Sequence, residues 1–237
     1  MIDALVLPEV AWRWEWVPTP DTPAADAEAW LLRTADLLGG WADLPPALLE
    51  ELPPQERALA TGETVGRSAA LWLLARAARC PAGTGLAWGA GHLTPDRPRW
   101  GPVPVLVDFR VPVAQDASYL MAEVGAAGDE DDARPPVVDY VTTDGGDGVR
   151  VMALVRGAAG AVTCRVDAAM RVDVPAYGDV PVTSVDVVLS TRTDDLTAAA
   201  VLGGGVEELM HRIAAELLPG TDGVPRLVLA GTGEGTA

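Results

Sequence analysis

Hydrophobic and polar positions alternate strictly from Val10 to Val17, which sets Val10, Trp12, Trp14 and Trp16 on one face of a β-strand. Pro18, Pro20 and Pro23 end it. The period then lengthens. Trp30, Leu31, Thr34, Leu37 and Leu38 recur at helical spacing and predict a helix over 26–38, stopped at Gly39-Gly40. Residues 45–60 predict one or two short helical pieces broken at Pro53-Pro54. Residues 66–79 predict another amphipathic helix, with Leu71, Leu74, Ala75 and Ala78 inward and Arg67, Arg76 and Arg79 outward.

From Gly83 the pattern changes to strands and turns. Leu86-Ala87-Trp88 lies in a glycine-rich stretch, and residues 94–102 read as a Pro/Arg loop. Val103, Val105, Val107, Phe109, Val111 and Val113 alternate as a strand, for which Pro104 and Pro112 imply an edge position or irregular ends. Residues 118–124 read as a further strand. Segments 137–143 and 149–156 flank Asp144-Gly145-Gly146-Asp147-Gly148 as a hairpin. A long strand follows over 162–174, with Val162, Cys164, Val166, Ala168, Met170, Val172 and Val174 on its apolar face, and then another over 182–191. Val206, Leu209, Met210, Ile213 and Leu217 form the stripe of a last helix, ended by Pro219-Gly220. The expected fold is α+β: an antiparallel meander sheet packed against an N-terminal helical segment and a C-terminal helix. It reads as one domain over 1–237, with 128–136 as the place for a boundary or an exposed acidic loop.

A hydrophobic share of 49% over 237 residues is ample for a core. The balance of 34 acidic against 17 basic residues, net −17, disfavours nucleic-acid backbones and anionic membrane surfaces. No run approaches the roughly 20 apolar residues of a transmembrane helix, and the first residues lack the basic and apolar regions of a signal peptide, so the expected location is cytoplasmic. Every basic residue is Arg, and neither Lys nor Asn occurs, a bias typical of GC-rich genomes such as those of actinobacteria. Without Lys the chain cannot form a Schiff base or present a P-loop lysine.

The remaining candidates for chemistry are few. Cys164 on an apolar strand face reads as a small buried hydrophobe, and Cys80 has no nearby His to activate it. Glu207 and His211 share a helix face, a two-ligand metal fragment with no third ligand, and Glu208 with Arg212 supplies an ordinary ion pair on the same surface. His92 lies in a glycine-rich stretch without an identifiable Ser or Cys partner. The run from Gly128 to Pro136 holds four adjacent carboxyls without the spacing of a calcium loop. Gly231-Thr232-Gly233-Glu234-Gly235 has no helix after it to complete a phosphate site. Arg67, Arg76 and Arg79 suit anion recognition, although internal ion pairing is the simpler expectation. No cofactor or metal ion is expected, and the reading favours a protein that is not an enzyme. Trp12, Trp14 and Trp16 either pack the core or form an interaction surface, where Trp is enriched.

Residues 149–191 followed by the helix at 206–217 resemble, in pattern rather than in a diagnostic motif, the C-terminal half of Mog1/PsbP-like α+β proteins. That resemblance implies a non-enzymatic adaptor or binding role and carries over no functional residue. The leading expectation is a protein-interaction module with a protein partner: an adaptor, chaperone or assembly component of an actinobacterial system such as a secretion or injection apparatus. The alternatives are a small-molecule-binding protein or unfamiliar enzyme with a pocket between the N-terminal helices and the sheet, and a structural subunit of a homo-oligomer.

Overall fold

Tryptophans at every second position of a strand need a surface with room for their rings, and here the neighbouring strand provides it by lacking side chains. The computed structural model describes residues 10–42, 46–94, 97–157, 160–176, 181–219 and 225–227. In it, β1 (Ala11–Trp16) pairs antiparallel with β2 (Thr84–Thr94), setting Gly91 opposite Trp12 and Gly89 opposite Trp14. A Cβ at Gly89 would overlap the Trp14 ring. The rings of Trp12 and Trp14 stack on one another with centroids 5.3 Å apart.

Between β1 and β2 run α1 (Ala24–Ala42), the short α2 (Pro46–Glu51) and α3 (Pro54–Leu59), and α4 (Gly62–Ala77). The break at Pro53-Pro54 is where the sequence puts it. The inward face of α4 is not: its buried stripe is Gly62, Gly66, Ala70, Leu73 and Ala77, while Leu71 is exposed. The reason is backbone proximity. A Cβ on Gly66 would overlap the backbone of Ala35 and Gly39 in α1, so α4 turns its smallest residues inward and its larger ones partly outward.

β3 (Arg97–Arg110) begins inside the stretch expected to be a loop, because Arg97, Pro98 and Trp100 pair irregularly with the end of β2. It is an interior strand of the sheet, third in order. Pro104 is nevertheless tolerated because pairing with the strand on its other side starts only at Leu106. Pro112 lies beyond the strand's end, and Val111 and Val113, expected to continue the alternation, are exposed. Residues 118–124 are helical rather than extended: a single 3₁₀ turn, Ala117–Tyr119, runs into α5 (Leu120–Glu123), with the Asp116 carboxylate accepting from the Ser118 N–H at 2.9 Å.

A second meander follows, of β4 (Val137–Thr143), β5 (Gly146–Arg156), β6 (Val162–Val174) and β7 (Thr183–Thr193), and then α6 (Leu196–Leu217). The result is α+β: a seven-stranded antiparallel sheet in the order β1-β2-β3-β7-β6-β5-β4, with helices packed on it. The acidic stretch 128–136 leaves Asp129, Glu130 and Asp131 exposed but is stitched to β5. Asp132 bridges to Val155, the Ala133 N–H donates to the Leu154 carbonyl at 2.6 Å and the Arg156 N–H to that of Asp131 at 2.9 Å.

The pleat divides the core. One face of the sheet carries Val105, Val107, Leu189, Ala168 and Met170 and receives α6 through the expected Val206, Leu209, Met210, Ile213 and Leu217, all but excluded from solvent. Each such large side chain contributes about 1.5–3 kcal/mol. The other face is covered in two places. At the β1–β2 end, Leu86, Trp88 and Ala90 pack beneath α1 and α4. At the β5–β6 end, Val149, Val151 and Ala169 pack beneath α5. Between these two covers the sheet is open.

Candidate functional site

The residues singled out by sequence do not come together. Trp12 and Trp14 are buried between β2 and α6, where a Cβ on Gly205 would overlap the Trp12 indole. Trp16 is partly buried and its indole N–H donates to Glu216 at 2.8 Å. The three rings are thus packed beneath a helix of the same chain. Glu207 is held by Arg150 at 2.6 Å, His211 is exposed on α6, and among the described residues no three potential ligands cluster as a metal site. Arg212 pairs with Glu216 at 2.7 Å rather than with Glu208.

His92 ends up opposite Ala11 on β1, its ring edge-on to Trp41 at 5.5 Å, with no hydrogen-bond partner for either nitrogen among the described residues. Cys164 is buried in the core, and burial raises the pKa of both its thiol and that of Cys80, which disfavours the reactive thiolate. The space between the N-terminal helices and the sheet is filled by Ala70, Leu73, Trp88 and Ala90, none of them reaching solvent. The glycine run 231–235 lies outside the described residues.

The open strip between the covers of α4 and α5 is built from alternate residues of three central strands. Cross-strand register places Leu106 of β3, Ser190 of β7 and Asp167 of β6 in one row, with Arg192 and Arg165 paired beside it. Leu106 is 37% exposed although Val105 and Val107 on either side of it are fully buried, because its face of the sheet has no helix over it. A cleft of about 150 Å³ opens here, lined by Arg76 of α4 together with Leu86, Pro104, Leu106, Ser190, Thr191 and Arg192. One turn before Arg76 stands Trp72, 46% exposed, with the Arg76 guanidinium 5.3 Å from its ring centroid. A cation over an indole face is held there by the ring quadrupole.

The arginines around this strip divide sharply. Arg165 is buried and engaged by Asp167 at 2.8 Å, Asp132 at 3.4 Å and the Val124 carbonyl at 3.2 Å, which ties α5 and the acidic stretch to β6. Arg171 grips the buried Asp186 through two bonds of 2.7 and 3.1 Å and donates to the Tyr119 hydroxyl at 3.2 Å, while that hydroxyl donates to Asp186. A shallow depression of about 400 Å³ beside it, lined in part by Val113, Gln115 and Ser184, therefore has its cation already committed. Arg76 and Arg192 form no ion pair with any described residue, and neither do Arg67 and Arg79, contrary to the expectation of internal pairing.

No known family model matches the chain, and no curated protein does either. The geometry must speak for the site. Two guanidiniums converge on one cleft in a chain of net charge −17, and the apolar surfaces of Trp72 and Leu106 stand beside them. Guanidiniums suit a carboxylate through forked hydrogen bonds, and an exposed indole or leucine suits an apolar group by contact. Arg76 was visible in the sequence. Leu106 carries a signal of its own, a mismatch of phase, being apolar at the out-of-step position of the Val103-Val105-Val107 alternation, whereas nothing in the local pattern marks Trp72 or Arg192.

Proposed function

We propose that this protein is a non-enzymatic protein-interaction module, an adaptor, chaperone or assembly component such as those of an actinobacterial secretion or injection apparatus, and that the open cleft between α4 and α5 is where its partner docks. The observation that supports this reading is the convergence of Arg76 and Arg192, without carboxylate partners among the described residues, beside the exposed Trp72 and Leu106. Trp and Arg are enriched among the few residues that dominate interface energetics. The partner group that fits is an acidic side chain or chain terminus flanked by an apolar residue. At longer range the net charge of −17 draws in partners that are basic overall, so steering and contact select different features of one protein.

The test is a native pull-down from the producing organism's lysate with the wild-type chain, Arg76→Glu and Trp72→Ala. Both positions are exposed, so both variants keep the fold. A specific partner captured by the wild type and weakened about 30-fold by either change is expected, as for the loss of a hot-spot residue. A wild-type chain that captures no stable partner, or one captured equally by both variants, contradicts the proposal.

A further inference from the structure

The two edges of the sheet are treated in opposite ways. At the β1 edge, the hydrogen bond from the Val17 N–H to the Leu86 carbonyl fixes the alternation, so Trp12, Trp14 and Trp16 turn their backbone groups outward. The Arg212 side chain of α6 reaches this edge and donates to the Trp14 carbonyl.

At the β4 edge, Thr143 and Gly146 flank a two-residue turn, so their own N–H and C=O groups close the hairpin. Val141, Asp139 and Val137 then bond to β5, while Val138, Tyr140 and Thr142 point their N–H and C=O groups out of the sheet. No described residue outside the strand hydrogen-bonds to these groups. The strand runs in unbroken register with β5 for its whole length, Val137 to Thr143, with no proline, basic residue or bulge inside it, and Tyr140 at its centre is 81% exposed. Proline, lysine and bulges are common guards of such edges, and the one charge this strand carries, Asp139, is tied to Arg150.

We propose that β4 is the pairing edge for a second copy of this chain, antiparallel about a two-fold axis through Tyr140. In that register Tyr140 faces its own counterpart, Val138 faces Thr142 of the second copy and Asp139 faces Val141, so each face of the sheet continues across the junction. Charge permits it: Asp139, the strand's sole ionised side chain, faces Val141 of the second copy rather than its own counterpart, and Arg150, which also holds Glu207, pairs with it at 2.7 Å. Seven residues a side are far fewer than the roughly 20–30 of a standard interface. The dimer is therefore reversible and concentration-dependent, opposed at low salt by the net charge of −17 on each copy. The proposal is independent of the cleft between α4 and α5.

Sedimentation of the full chain in high salt, from about 1 µM to about 1 mM, reads it directly. The wild type dimerises over that range. Tyr140→Pro removes an N–H that points away from β5, so the hairpin survives and the dimer weakens at least about tenfold. Tyr140→Lys, which sets two cations against each other on the axis without touching the backbone, weakens it likewise if the proline variant does not fold. A wild-type chain monomeric up to about 1 mM, or a dimer that the folded variants leave unchanged, overturns the proposal.

Discussion

Gly204 and Gly205 are neighbours in α6 with opposite surroundings. A Cβ on Gly204 meets nothing within 4 Å, whereas one on Gly205 would overlap the Trp12 indole. Replacing a helical glycine by alanine ordinarily stabilises by about 1 kcal/mol, and Gly204→Ala is expected to do so. Gly205→Ala must instead displace a buried tryptophan and is expected to destabilise by about 1–3 kcal/mol, and urea denaturation of the two variants will show whether the signs differ. At the start of the same helix, Asp195 accepts from the Thr197 hydroxyl and from the Thr197 and Ala198 N–H groups, and these bonds lower its pKa. A depressed carboxylate pKa contributes stability that is present above the unfolded value and lost as pH falls through the folded one. The stability gap between wild type and Asp195→Ala should therefore be widest near neutrality and narrow in acid, measured by denaturation at both pH values. Neither the glycine pair nor the cap was legible as such in the sequence, where three successive glycines look alike and only the fold tells them apart.

At the scale of elements, helix existence and strand period were legible because each rests on a local pattern. The stripe of α6 and the apolar face of β6 are where the alternation placed them, since each faces a single core. The failures share a different cause. The orientation of α4 follows the smallest side chains, because what decides it is how close two backbones can come. The helical turn over 117–123 is held less by its own propensity than by distant partners, above all the Tyr119 hydroxyl on Asp186, which Arg171 also grips. Asp186→Ala leaves Arg171 without its buried partner, a change expected to cost about 3–5 kcal/mol. Hydrogen exchange should locate the loosening at residues 117–124; protection unchanged there would show that this anchor does not hold α5.

For the whole molecule, composition excluded chemistries more effectively than it indicated any. The acidic balance and the absence of lysine were readable at once, and no helix among the described residues is long and apolar enough to cross a membrane. What the sequence could not display is the gap itself. The opening arises because α4 and α5, far apart in the chain, cover opposite ends of one sheet face and leave Leu106 bare between them, with Arg76 and Arg192 brought together across it. The claim that this opening receives a partner is tested most directly by hydroxyl-radical footprinting of the full chain, free and in the complex recovered by pull-down. Trp72 and Leu106 should be labelled in the free protein and protected in the complex. Equal labelling of both residues in the two states would contradict it.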